Sequence, residues 1–213
     1  RLDGALTVDV HAHPDLDLET TAAVSHHLQD SDYEGEVYVG KQVMVYVQEA
    51  AEARLHRRYS LIAGAAYRGE FLDENLALSE YAYHMPGGFV QGDWMPVPQL
   101  ELLHGARFDY HNEFGPVFTP RVGLRVTPVG PLTIRATGGT GFRAPTTFYE
   151  YAHGVRPEGY ALEMNADRPE RSISLDGSVA LDLGRPLRAT LSSGFNRVNH
   201  AITVDLTDDG HVA

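Results

Sequence analysis

The sequence predicts an all-β fold, an antiparallel up-and-down transmembrane β-barrel, with about ten strands inside these 213 residues. Three observations predict it. Apolar and polar residues alternate with a period of two through most of the chain. The polar members of the alternation carry more charge than a packed interior accepts. The links between alternating runs are themselves alternately compact and long.

Strands are expected near 4–13, 19–29, 37–49, 55–71, 89–95, 99–111, 117–127, 132–142, 171–183 and 187–198. In 59–67, Tyr59, Leu61, Ala63, Ala65 and Tyr67 fall on one face. In 105–111, Gly105, Arg107, Asp109 and His111 oppose Ala106, Phe108 and Tyr110. Val122, Leu124 and Val126 oppose Arg121, Gly123, Arg125 and Thr127, and Leu132, Ile134 and Ala136 oppose Thr133, Arg135 and Thr137. Further on, Ile173, Leu175, Val179, Leu181 and Leu183 oppose Ser174, Asp176, Ser178 and Asp182. The charged face suits a wet lumen, so the apolar face must meet lipid or a second sheet. Residues 47–58 favour helix locally through their Ala and Glu content, but the run is short and reads as a strand end plus a turn.

Compact links are expected at 14–18, 50–54, 96–98, 128–131 and 184–186, and longer ones at 30–36, 72–88, 112–116 and 143–170. Only 112–116 is short where a long loop was due. Tight turns at one end and long loops at the other are what a membrane barrel requires, and a soluble meander does not. About ten strands are roughly half of the 22-stranded outer-membrane transporter class.

Composition narrows the function. A net charge of −12 repels phosphate backbones and argues against a nucleic-acid partner. The chain contains no cysteine, which removes disulfides, thiolate chemistry and Cys-based zinc sites. No apolar run is long enough for a membrane helix, a test that strands evade because only alternate side chains face lipid.

Three patterns invite other readings. His11 and His13 in Val8–His13 resemble the HxH pair of metal-dependent hydrolases, but that fold needs helices alternating with strands and no convincing helix comes after His13. Gly139–Ala144 matches a dinucleotide fingerprint, yet Pro145 and the threonines after it make a poor helix start. His26, His27, Asp30, Asp32 and Glu34 are candidates for a divalent-ion loop, against the plainer reading of a solvated acidic loop.

The stretch 102–146 reads LLHGARFDYHNEFGPVFTPRVGLRVTPVGPLTIRATGGTGFRAPT. It resembles the central barrel of TonB-dependent receptors, where a "GLRYD" strand leads to "SPRLGL", a Pro-containing turn and "LTLRASYGTGFRAPT". Residues 166–172, ADRPERS, resemble that family's "NPDLKPERS", and 28–46 resembles a looser "QDSYYG…Y…Q" pattern. The resemblance implies a receptor in the bacterial outer membrane that takes up a scarce nutrient, such as a siderophore-iron complex or cobalamin. Its partners would be outer-membrane lipid, a small-molecule ligand, and the TonB system through an N-terminal region outside this sequence.

On this reading residues 1–213 form a single partial barrel domain, a fragment without the plug domain, the first strands or the closing strand, and alone it transports nothing. The family drives no covalent reaction, so no enzyme activity is expected and no catalytic, cofactor-binding or metal-ligating residue is assigned. Arg107, Asp109, Arg121, Arg125, Arg135 and Asp176 are expected to face the lumen as structural groups paired by water or a plug. Gly139–Pro145 reads as architecture, with Pro145 ending strand pairing. Tyr149, Glu150, Tyr151, His153, Arg156, Tyr160 and Glu163 suit either a ligand-facing outer loop or an aromatic girdle, and none is given a binding role. The other classes are a non-transporting barrel for adhesion, secretion or structure, and a soluble all-β or metal-dependent hydrolase domain. An upstream plug would separate the first from transport, and solubility without detergent would identify the second.

Overall fold

Alternation of period two requires a backbone whose side chains point alternately to opposite faces, and the chain meets that requirement almost throughout. The computed structural model describes residues 1–33, 36–75, 81–145, 161–162, 168–184, 187–201 and 211–212. In chain order the strands are β1 (Leu2–His13), β2 (Leu16–Tyr33), β3 (Glu36–His56), β4 (Tyr59–Glu74), β5 (Tyr81–Val97) and β6 (Leu100–His111). They continue as β7 (Gly115–Val129), β8 (Leu132–Arg143), β9 (Ala161–Leu162), β10 (Glu170–Asp182), β11 (Arg188–Asn199) and β12 (His211–Val212). Ten of them form one antiparallel sheet in the order β1-β2-β3-β4-β5-β6-β7-β8-β10-β11, and β9 and β12 pair separately. No helix among the described residues is long and apolar enough to cross a membrane.

Successive hairpins put the two-residue turns at 14–15, 57–58, 98–99 and 130–131 on one rim, together with the link between Asp182 and Arg188. The remaining connections lie on the opposite rim, the loop rim. The ladder shifts at His11/His13, Arg54/His56, Trp94/Val97 and Val126/Val129, all at the turn rim, where bulges bend strands into their hairpins. The first four turns are each stitched to the next hairpin: Arg54 N–H donates to the Asp15 carbonyl at 2.9 Å, and Met95 N–H to the Arg58 carbonyl at 2.8 Å. Such closure of backbone groups is what a hydrocarbon environment demands.

Register fixes the two faces. Gln42, Glu70, Tyr83, Asp109 and Val117 share one face with Arg121, Arg125, Arg135 and Asp176. All six charged residues expected in the lumen are therefore on that inner face. The outer face carries Leu6, Val8, Val24, Val47, Val90, Phe108, Phe118, Val122, Leu175, Leu191 and Phe195, each exposed. Outward Tyr59 pairs with Trp94 near the turn rim, and Tyr67 and Phe71 lie toward the loop rim. Tyr59 and Phe71 are separated by twelve residues, or about 30 Å along the barrel axis at a usual strand tilt, close to the thickness of a hydrocarbon core. One outward group departs from the pattern: Glu49 lies opposite Ala65, midway between those rings, and accepts a hydrogen bond from Thr20 Oγ1.

Three boundaries differ from those expected. The supposed turn at 50–54 is the interior of β3, and the turn is Arg57–Arg58. Outward Ala51 and Ala53 are too small to extend an apolar signal, and pairing with both β2 and β4 overrides the helix preference of 47–58. The link at 30–36 is mostly strand, since β2 reaches Tyr33 and β3 starts at Glu36. The link at 72–88 shrinks because β4 reaches Glu74 and β5 starts at Tyr81. A tilted transmembrane strand needs about ten residues, whereas β2 to β5 have 18, 21, 16 and 17. Beyond the lipid the outward residues include Asp30, Asp32 and Asp73, so the apolar alternation fails there while pairing continues. Glycine also hid β5: a Cβ on Gly87 would sit 1.9 Å from Asp109 Oδ1, so that residue keeps room for a carboxylate on the next strand.

Candidate ligand-facing inner wall

On the inner face near the loop rim, β3 to β8 border a concavity of about 910 Å³. Its wall is a run of side chains two residues apart on adjacent strands, so the sheet holds each against its neighbours. Glu70 on β4 is the hub of one cluster. It accepts from Gln42 Nε2 at 3.0 Å, from Tyr81 OH at 2.8 Å, and from Arg68 Nη2 at 2.8 Å. Asp109 on β6 is the hub of another. It is 1% exposed and accepts from Arg107 Nε at 2.7 and 2.9 Å, with Arg107 Nη2 also at 2.7 Å. The Arg107 guanidinium lies 5.9 Å from the centre of the Phe89 ring.

Aromatic rings lie between and above these pairs. Tyr81 and Tyr83 stack with centroids 4.2 Å apart, and His111 meets Tyr83 edge-on at 4.7 Å. Phe114 approaches His111 at 4.8 Å. Tyr83 OH donates to the Pro145 carbonyl at 3.1 Å, so the end of the Gly139–Pro145 motif is fastened to β5 across the wall. Pro145 comes after the end of β8 as expected, and this anchor is a further role that nothing in the local sequence signals.

Lower on the same face, Arg125 pairs with Glu101 and lies opposite Arg135. Among the described residues Arg121 and Arg135 have no carboxylate partner, and the buried Asp93 Oδ1 has no hydrogen-bond partner. The upper wall is charge-matched and rigid; the lower wall keeps polar groups in need of partners.

The other patterns noted in the sequence fall apart in three dimensions. His11 Nδ1 lies 2.5 Å from Asp17 Oδ1, while His13, beyond the ladder shift, accepts from the backbone N–H of Asp15 at 3.4 Å. The two imidazoles thus serve separate partners in a hairpin. Gly139–Arg143 lies within strand β8, with no helix N-terminus to cradle a pyrophosphate. His26 faces outward and His27 inward, so they do not share one ion; Glu34 lies outside the described residues. So do Tyr149, Glu150, Tyr151, His153, Arg156, Tyr160 and Glu163.

An exposed apolar girdle outside and a charged, hydrogen-bonded wall inside are the geometry of an outer-membrane barrel. A profile described as "TonB dependent receptor-like, beta-barrel" matches residues 12–212. The chain belongs to the TonB-dependent receptor β-barrel family. As a member it resides in the bacterial outer membrane. The iron-regulated outer membrane virulence protein of Vibrio cholerae is 32% identical over 124 residues, covering 54% of this chain and 18% of that protein.

Among solved structures, a point mutant of the ferric enterobactin receptor of Pseudomonas aeruginosa in complex with enterobactin superposes with a TM-score of 0.73 at 15% identity, over 96% of this chain and 36% of that one. The siderophore receptor PirA of the same organism gives 0.70 at 15%, over 99% and 49%. The FrpB iron transporter of Neisseria meningitidis gives 0.74 at 13%, over 97% and 38%. At these identities the structures establish the shared fold, and this chain spans less than half of each.

Proposed function

We propose that the intact receptor containing this chain imports a ferric siderophore across the outer membrane, energised by the TonB system. The observation that carries this reading is the loop-rim wall. Arg68 and Arg107 keep guanidinium surface open to the lumen beside the half-buried Tyr81, and the buried Tyr83 and His111 back them on strands fixed by the sheet. Relatives named for iron regulation, iron transport and siderophore reception support an iron chelate over cobalamin. The uptake step needs no covalent chemistry, since the wall only binds and releases.

Residues 1–213 then act as one part of the barrel. A plug domain elsewhere in the same protein would supply partners to Arg121, Arg135 and Asp93 on the lower wall. The test is radioiron uptake in a receptor-null strain carrying the intact gene, with and without a functional TonB. TonB-dependent entry of at least one member of a ferric siderophore panel is expected, with no gain in cobalamin uptake. Lack of any siderophore-dependent entry would overturn the proposal and favour a non-transporting barrel.

A further inference from the structure

β7 and β8 separate before either strand ends. Their ladder stops at the Arg121–Gly139 pair, although β7 reaches Gly115 and β8 reaches Arg143. Pro120 and Pro116 lie just past that point. Their missing N–H groups keep β7 from continuing the ladder to β8, while its pairing with β6 runs on to Gly115. β8 in turn stays paired with β10 as far as Arg143–Glu170, and those two side chains are ion-paired at 3.0 Å. The end of β8 is therefore fixed on its β10 side and released from β7.

The chain after β8 turns inward. The Pro145 carbonyl accepts from the Tyr83 hydroxyl at 3.1 Å, and Tyr83 is on β5, three strands away in the sheet. Three strand spacings are about 14 Å, of which two extended residues supply about 7 Å and the Tyr83 side chain most of the rest. Arg143–Pro145 and that side chain thus span β7 and β6 on the lumen side. Ala144 and Pro145 accordingly border the same concavity as Asp109, His111 and Thr119. At the crossing the inward residues are Val117 on β7 and its register partner Asp109 on β6. With Pro145, these two are the largest fully enclosed side chains among the described residues. Neighbours in a sheet flank an inward side chain without capping it, so an apolar group as enclosed as Val117 needs a cover from the lumen.

We propose that Arg143–Pro145 is a strap across the inner wall, with Arg143 as its fixed end and the Tyr83 hydroxyl as its catch. Fastened, it covers Val117 and Asp109. Released, it opens both side chains to the lumen and changes the wall that any solute in the barrel meets. The two ends differ in strength. Arg143 is held by a strand ladder and an ion pair, whereas Pro145 has no N–H and offers the catch only its carbonyl. Stacking on Tyr81 and the edge of His111 keep the Tyr83 ring in place whether or not its hydroxyl is engaged. Release therefore occurs at the catch, and the device does not depend on which solute the receptor carries.

The test is cysteine labelling of the intact receptor in vesicles, in a background without other cysteines, with a charged maleimide as the probe. Val117→Cys should label slowly while Tyr83 is present. Adding Tyr83→Phe, which removes the catch and keeps the ring, should raise that rate about fivefold. Ala66→Cys, buried on the inner face of β4, is the control and should label at one rate in both backgrounds. Hydrogen exchange over residues 140–145 gives a second reading, and it should be faster in Tyr83→Phe. Heat-shifted migration on a gel verifies that each variant is a folded barrel, and if Val117→Cys does not fold the exchange measurement decides. A Val117→Cys rate indifferent to Tyr83→Phe, an equal rise at Ala66→Cys, or unchanged exchange over 140–145 would each overturn the proposal.

Discussion

Phe108 and Asp109 are neighbours in sequence on β6, yet Phe108 leaves 53% of its surface exposed and Asp109 leaves 1%. In a water-soluble sheet the ring is buried and the carboxylate solvated. Here the outer and inner faces have exchanged roles because their solvents differ. Hydrocarbon accepts the ring at no cost, and an ion-paired, hydrogen-bonded wall accepts the charge. The pairing rules of a sheet do not distinguish the two faces. Only the medium against each one does, and substitutions that place one group on either face should expose the division.

The largest effect is expected from one substitution placed on either side of β8. Ala136→Arg puts a guanidinium in the middle of the outward row and should destabilise the barrel by about 2–4 kcal/mol. Thr137→Arg, one residue later, points inward opposite Asp176 and should change stability by less than about 0.5 kcal/mol. Denaturant titration of the intact receptor refolded into vesicles measures both, and equal costs would erase the distinction between the faces.

The inner face should be next in sensitivity. Asp109→Ala strands the Arg107 guanidinium on a mostly enclosed wall, with an expected loss of about 2 kcal/mol in the same titration. Asp109→Asn keeps an acceptor and should recover part of that loss. Asn112→Ala removes a side-chain amide that holds β5 at the loop rim and should cost about 1 kcal/mol, read as faster hydrogen exchange at His84. The smallest effect has the opposite sign. Glu49→Val replaces an outward carboxylate in the middle of the band and should stabilise the barrel by about 0.5–1 kcal/mol.

The faces were legible in the sequence because side-chain alternation is a local property. Arg107, Asp109, Arg121, Arg125, Arg135 and Asp176 could be placed inward from their own strands alone, and the order of hairpins came from the links. Strand ends were less legible. At 30–33 and 72–74 the outward residues Asp30, Asp32 and Asp73 are acidic, so the apolar half of the periodic signal stops although the ladder does not. The wall cluster was least legible, because its members come from separate strands. Gln42, Glu70 and Tyr81 meet through register, and no spacing along the chain encodes that. A trace was present in Gly87, whose missing side chain makes room for Asp109 twenty-two residues later.

Asn75 and Asn112 are placed alike at the loop rim. Asn75 accepts from Val39 N–H at 2.8 Å through its side chain and donates to Val37 O at 2.7 Å, and Asn112 does the same with His84 N–H at 2.9 Å and Ala82 O at 2.8 Å. Each amide stands in for one more residue of strand, so the neighbouring strand's last backbone groups are already satisfied where the connection departs. The ends of β3 and β5 are thereby held by the asparagines themselves, so losing either amide should fray a strand end and leave the sheet below it intact.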